Sequence, residues 1–409
     1  MSRNVPKLRF KGFEDEWKEY RLGDLVNYKK GFAFKSDYYV NEGIRIIKIS
    51  DTTEDSISEI GSTFINSSHF EKFIEWKLSK DDIIVSTVGS RPPLYSSMVG
   101  KIVKVPYICD GTLLNQNLVK LIPNNIVNDF LYNILKRPNY TNYIENICRG
   151  NANQVSITLD DLFEFKIIFP LLQEQEKIAN FLSKVDSIIE KQEKKVQYWN
   201  SYKRGMMQQI FSQKIRFKDE NGRDYPEWEE KKAGDLFINI SNKDHNGDID
   251  VLSVTQDRGV LLRKDLEIDI KFDNESLKNY KKVMPGDFII SLRSFQGGFE
   301  ISNQQGLISP AYTVFNFNEK DKFNSKYFAH LFKTKTFIRK LSGFIYGIRD
   351  GKAISFTDFK TMKLLYPCLE EENKIVNILS KVDNIIEKEN QKLEELKQWK
   401  KGLLQQMFV

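Results

Sequence analysis

The stretch LSKVDSIIEK, Leu182 to Lys191, returns almost unchanged as LSKVDNIIEK, Leu379 to Lys388, 197 residues downstream. The copies extend both ways. PLLQEQEKIANFLSKVDSIIEKQEKKVQYWNSYKRGMMQQIF from Pro170 aligns without a gap on PCLEEENKIVNILSKVDNIIEKENQKLEELKQWKKGLLQQMF from Pro367, with half of the positions identical. A repeat of this length is one structural element used twice. Its period is seven: Ile178 and Val185 start one apolar row, Phe181 and Ile188 a second, Leu182 and Ile189 a third. Ile375 with Val382, Ile378 with Ile385, and Leu379 with Ile386 repeat all three. Each segment is predicted as one helix of about 40 residues, on the order of 60 Å long, opening near Pro170 and Pro367, since proline is tolerated in a first turn.

Two apolar rows suffice for a two-stranded coiled coil, whereas three make a stripe wide enough for a further neighbour. These twelve residues are therefore expected to pair the helices and to dock a partner. Gln192, Lys203, Glu389 and Lys400 interrupt the stripe at equal places in both copies, as register-fixing polar positions do.

The repeat continues outside the helices. LRF at Leu8–Phe10, Trp17 and GDL at Gly23–Leu25 return as IRF at Ile215–Phe217, Trp228 and GDL at Gly234–Leu236. DDIIVS ending at Ser86 matches GDFIIS ending at Ser291, and ITLDDLFEFKIIFP ending at Pro170 matches ISFTDFKTMKLLYP ending at Pro367. The order is thus a domain over 1–169, a helix over 170–212, a second domain over 213–366 and a second helix over 367–409. QQIFSQKIRF joins the first helix to the second domain, while the last residues read QQMFV and the first read VPKLRF, so the two ends look like cut halves of one junction. Antiparallel helices would then give a cyclic, pseudo-twofold chain. Within the domains, short apolar runs such as IRIIKIS, DIIVST, VGKIVKV and NLVKLI read as strands between turn residues. IVNDFLYNILKR and SKYFAHLFKTKTFIRKL read as short helices, and the class is α+β: two α/β domains separated by two long helices in an antiparallel coiled coil.

Composition narrows the function. With 40% hydrophobic and 29% charged residues, 29 of them Phe and Tyr another 17, the chain has the profile of a well-packed soluble protein. Its charged start, MSRNVPKLRFKGFEDEW, lacks a signal peptide's apolar core, and no later run approaches a membrane span; a cytoplasmic protein is expected. Cys109, Cys148 and Cys368 form no CxxC pair, which argues for isolated thiols rather than a disulfide or zinc framework. His69, His245 and His330 stand apart, which points to surface or capping roles. The net charge of +6 is compatible with a nucleic-acid partner. There is no GxxxxGK[ST] loop, so an ATPase core is unsupported. The nearest approach to an adenine-methylating Asn/Asp-Pro-Pro-aromatic motif is SRPPLYSS, where Arg91 stands in place of the acid or amide and Leu94 separates Pro93 from Tyr95; it reads as a loop, not a catalytic centre.

A shared framework carrying divergent loops suits two reading heads addressing DNA grooves about one helical turn, roughly 34–36 Å, apart. The helix segment with Pro170, Leu172, Glu174, Gln175, Ile178, Ala179 and Leu182, following a domain that opens with Trp and GDL signals, resembles the specificity (S) subunits of type I restriction-modification systems over essentially the whole chain. The second copy departs with Glu372 and Val376 in the Gln and Ala places. The resemblance implies a non-catalytic subunit with two target recognition domains, each reading one half of a split, asymmetric DNA sequence. It implies two docked modification subunits methylating adenine from S-adenosylmethionine, and restriction subunits using ATP and magnesium, with no cofactor in this chain. A coiled-coil adaptor with two heads for ligands other than DNA is the second reading.

Candidate DNA contacts are Arg, Lys, Asn and Gln in glycine-punctuated loops, because Arg suits guanine and Asn or Gln suits adenine in the major groove. In the first domain these are Ser90, Arg91 and Tyr95, then Asn115 and Gln116, then Arg149, Asn151, Asn153 and Gln154. The second domain offers Arg293, Ser294 and Gln296, with Tyr346, Arg349 and Lys352. Lys29, Lys30, Lys35 and Lys48 are expected at phosphates rather than bases.

Overall fold

The computed structural model describes residues 4–92, 94, 97–151, 154–255, 258–266, 274–291, 298–342 and 354–409. The repeated segments are helices of 40 and 39 residues, Leu172–Phe211 and Leu369–Met407. Each begins two residues after its proline, so Pro170 and Pro367 end the preceding strands instead of occupying a helical turn. The four stretches read from the sequence group into two compact units, Met1–Glu193 with Lys392–Val409, and Lys194–Gln391. Each unit thus combines one globular domain with part of both helices.

The first unit is built on an antiparallel four-stranded sheet ordered Val26–Lys30, Leu118–Pro123, Ile83–Ser86, Ile102–Lys104. Its entry and exit are tied by Lys18–Arg21 pairing antiparallel with Lys166–Phe169, Lys18 opposite Phe169. The GDL signal is a helical turn, Leu22–Leu25, whose Leu22 and Leu25 are buried. A Cβ on Gly23 would lie 3.0 Å from the Phe163 Cβ, so the motif serves packing between the two ends of the domain. The second sheet, Tyr39–Val40, Phe64–Ile65, Ile44–Ile47, Leu113–Leu114, covers an aromatic cluster that includes Phe32, Phe34, Phe73 and Trp76.

The second unit repeats the main sheet in the same order: Phe237–Ile240, Thr313–Phe317, Phe288–Ile290, Phe299–Ile301. Glu229–Lys232 pairs with Lys363–Tyr366 as its entry and exit. Its core is largely phenylalanine, with Phe237, Phe288, Phe315, Phe317, Phe328 and Phe332 linked by a network of ring contacts, which accounts for much of the Phe content. In the first unit strands fall on the four predicted runs. The helices differ in detail. IVNDFLYNILKR supplies only Asn128–Leu135, because Pro138 starts a separate helix, Pro138–Ile147. SKYFAHLFKTKTFIRKL splits into Ser325–Phe332 and Lys335–Ser342, since the Thr334 hydroxyl donates to the Leu331 carbonyl and accepts from the Phe337 N–H, closing one helix and capping the next.

The helices run antiparallel within each unit. In the first, Asp186 meets Lys400 at 2.5 Å and Glu193 meets Lys397 at 3.1 Å. In the second, Lys203 meets Asp383 at 2.5 Å and Lys195 meets Glu389 at 2.7 Å. Lys203, Lys400 and Glu389 thus make cross-helix ion pairs, and Gln192 is buried. Ile178, Leu182 and Val185 are buried in one core with Leu403, Met407 and Phe408; Ile375 and Leu379 are buried in the other with Ile210. A Leu side chain so enclosed contributes roughly 1.5–3 kcal/mol. Val382 is buried, Phe181, Ile189, Ile378, Ile385 and Ile386 are half-buried, and Ile188 remains 47% exposed.

The junction read at the chain ends is present. The Leu8 N–H donates to the Gln406 carbonyl at 2.8 Å, and the Ile215 N–H donates to the Gln209 carbonyl at 3.2 Å. Beside them Arg9 makes two bonds to Glu174, at 2.7 and 2.8 Å, and Arg216 makes two to Glu371, at 3.4 and 2.9 Å. The three cysteines are free thiols. His245 bridges a turn, its Nδ1 accepting from the Gly247 N–H. His330 departs from a surface role: it is half-buried on the helix Ser325–Phe332, and burial holds its imidazole down to a pKa of about 4.

Candidate nucleic-acid interface

Strand Val88–Gly89 leaves the main sheet of the first unit and pairs with Gln154–Ser156, which pairs in turn with Arg149–Asn151. Gly89 faces Val155, and Val155 faces Gly150; in the next row Val88, Ser156 and Arg149 lie abreast. Side chains alternate between the faces of a pleated sheet. Val155 is 1% exposed within the core, so its row looks inward and the alternate rows look out. Arg149, Gln154 and Ser156 are all exposed. A polar face results, backed by apolar packing.

The loop after Gly89 is tied at its base. The hydroxyls of Ser90 and Ser97 meet at 2.8 Å, the Ser90 N–H donates to the Ser97 carbonyl, and the Val99 N–H to the Ser90 carbonyl. Arg91 and Leu94 are exposed beyond this tie. A Cβ on Gly89 would stand 2.4 Å from the Ser97 carbonyl oxygen and 2.6 Å from the Val99 nitrogen. Gly89→Ala therefore must displace backbone; the expected result is a loss of sequence-selective DNA binding with the unfolding of the second unit unchanged, checked by duplex titration and by hydrogen exchange. Gly150 carries the second close approach, with φ +124° and the Gln154 carbonyl 2.8 Å from where its Cβ would be.

The structure brings Ser90, Arg91, Arg149 and Gln154 to one small sheet. Asn115 and Gln116 sit elsewhere, in the turn before Leu118–Pro123. There the Asn115 N–H is spent on the Ile47 carbonyl, and the neighbouring Asn117 carbonyl accepts from the Thr87 N–H. That turn marks the foot of Val88–Gly89, while Ser90 and Arg91 leave its far end. Tyr95, Asn153, Arg293, Ser294, Gln296, Tyr346, Arg349 and Lys352, and the Asn151 side chain, lie outside the described residues. Of the lysines, Lys29 is held by Glu75 at 2.7 Å and lies over the Trp76 ring, and Lys48 lies over the Tyr39 ring; Lys30 and Lys35 are exposed.

Two outward residues were not legible in the sequence. Ser156 joins the polar face through strand alternation. Asp161, on the short helix Leu159–Phe163, accepts from the Arg149 guanidinium at 2.8 Å. The ITLDD segment signals a helix cap, but nothing in it points to Arg149. Among the described residues no three His, Cys, Asp or Glu side chains gather as a metal set, and no helix is long and apolar enough to cross a membrane.

Residues 14–197 and 225–398 each match the type I restriction modification DNA specificity domain. The chain is 26% identical to a putative type I restriction enzyme MjaX specificity subunit of Methanocaldococcus jannaschii, over 98% of this chain and 95% of that one. It is 25% identical to the MjaVIII specificity subunit of the same organism, over 95% and 91%. The crystal structure of a type I restriction-modification S subunit from M. genitalium has the same fold, with a TM-score of 0.56, 16% identity and 99% of both chains covered. With one match covering each globular domain and running into the long helix that follows it, and a sheet order repeated in both units, the chain belongs to the specificity-subunit family of type I restriction-modification systems.

Proposed function

We propose that each globular domain reads one half of a split DNA target and that the helices dock two adenine-modifying subunits, with restriction subunits completing the assembly. The observation that carries this is the specificity-domain match falling separately on the two domains, which share a main sheet order and differ outside it. Apolar surface left on the helices supports docking: Ile188 and Trp399 in one unit, Tyr198 and Tyr202 in the other, are exposed, where a chain with no further neighbour would carry polar residues. S-adenosylmethionine, and ATP with magnesium, then belong to the partners, and this chain supplies recognition rather than catalysis.

The test is to express the chain with a type I modification subunit in a methylation-free host and map modified adenines. A single bipartite motif is expected, one half of which changes when one domain is exchanged. A stable complex that modifies no motif would favour the adaptor. Lengthening both helices by the same few residues is expected to change the number of base pairs between the half-sites while leaving the half-sites themselves intact; unchanged spacing would exclude the helices as the ruler.

A further inference from the structure

The exposed polar face of the first unit contains one arginine whose direction is fixed. Arg149 opens the strand Arg149–Asn151 opposite Ser156 and is 69% exposed, yet its Nη2 donates to the Asp161 Oδ2 at 2.8 Å. Asp161 is itself held on three sides. The Thr158 hydroxyl donates to the same Oδ2 at 2.6 Å, the Asp161 N–H donates back to Thr158 Oγ1 at 3.1 Å, and the Tyr143 hydroxyl donates to the Asp161 carbonyl at 2.5 Å. Tyr143 belongs to the helix Pro138–Ile147 packed on the core. The carboxylate is therefore anchored through the fold, and the guanidinium hangs from it into solvent.

An exposed ion pair of this kind adds next to nothing to stability. Its effect is directional. An arginine that only attracts phosphate gains nothing from a carboxylate, which cancels much of its charge at a distance. An arginine that must lay a planar fork against two acceptors gains from having its rotation removed beforehand, because less freedom is lost on binding. The base edge presenting two acceptors side by side in the major groove is guanine, through N7 and O6.

We propose that Arg149 reads a guanine in the half-site bound by the first domain and that Asp161 is the positioning residue that aims it. The proposal rests on the DNA-reading function above and assigns one base of it. Gln154 and Ser156 share the outward face, and the loop carrying Arg91 leaves the adjoining strand, so the arginine stands within a polar surface rather than alone on a rim.

The experiment uses the full chain assembled with its modification subunits and duplexes carrying the mapped motif, with each guanine of the first domain's half-site replaced in turn by 7-deazaguanine, which lacks the N7 acceptor. At one guanine the unaltered complex is expected to lose roughly five- to a hundredfold in affinity. Arg149→Ala should lose a similar factor on the native duplex and become indifferent to the replacement at that guanine alone. Asp161→Ala should lower the discrimination at the same position while binding to unrelated duplexes is kept, and Asp161→Asn, which retains an oxygen acceptor, should restore part of it. A purely structural role for Asp161 would instead weaken binding to every duplex alike and leave the discrimination intact, and that result overturns the proposal. So does a mapped motif at which no guanine responds, or responds equally in Arg149→Ala. Absence of any modified motif would overturn the DNA-reading function itself.

Discussion

Arg216→Ala is expected to destabilise the second unit by roughly 3–5 kcal/mol. Glu371 is fully buried, and Arg216 reaches both of its oxygens while also donating to the carbonyls of Tyr225 and Pro226. Trp228 adds an indole N–H at 3.2 Å. Removing the guanidinium leaves a carboxylate out of water with one neutral donor, and breaking a buried pair on one side costs that much. Urea-dependent hydrogen exchange of peptides from 213–366 measures it. Adding Glu371→Gln should recover part of the loss, since it removes the stranded charge; a single-variant loss within about 1 kcal/mol would mean that water reaches Glu371 and the clamp is dispensable. The first unit carries the same clamp in Arg9 and Glu174, and Arg9→Ala should act there in the same direction.

Glu372→Gln is expected to stabilise the second unit at pH 8 and to leave it unchanged near pH 4. In the first unit Gln175 occupies this place: its Oε1 accepts from the Val127 N–H, and its Nε2 donates to the Pro170 carbonyl at 2.9 Å. Glu372 keeps the first contact, taking the Asn324 N–H at 2.6 Å, but its Oε1 is buried without a partner. Burial pushes its carboxyl up to about 8, against a smaller lowering by the Asn324 N–H. An unfolded glutamate titrates near 4.3. The raised value means that the folded chain holds a proton the unfolded chain has lost. Stability from this group is therefore complete below about pH 4 and falls by about 1.4 kcal/mol per pH unit until pH passes about 8. The Gln variant should abolish that slope, and identical pH profiles for the two proteins would show that Glu372 is ionised in place.

The long helices and the strands were open to reading because they rest on local patterns, whereas the order of the strands in each sheet came only with the structure. A seven-residue apolar rhythm survives over 40 residues, and each β run is bounded by turn residues. The junction was legible for the same reason, two copies of one sequence meeting two ends. The break at Thr334 was not, since a hydroxyl that closes one helix and opens the next looks like any threonine within an apolar spacing. The polar face was half legible. Arg149 and Gln154 could be picked by residue type, but their company depends on the register of three short strands, and Asn115 and Gln116, picked by the same rule, lie in a different turn. Asp161 was hidden because its partner is set by how a helix packs against a strand. Glu372 was visible as a departure, and its meaning came only from the burial of the oxygen facing away from Asn324.

The grouping of the last residues with the first has a consequence for synthesis. Ile178, Leu182 and Val185 share their core with Leu403, Met407 and Phe408, which leave the ribosome after the whole of Lys194–Gln391 has been made. At 5–20 residues per second, that intervening stretch takes on the order of 10–40 s. Throughout this interval the half-seam of the first unit is uncovered, whereas the second unit has both of its helical segments as soon as Gln391 is made, before Lys392–Val409. The domain translated first is thus the last to close, and the nascent chain must keep an apolar helix face out of trouble until its terminus arrives.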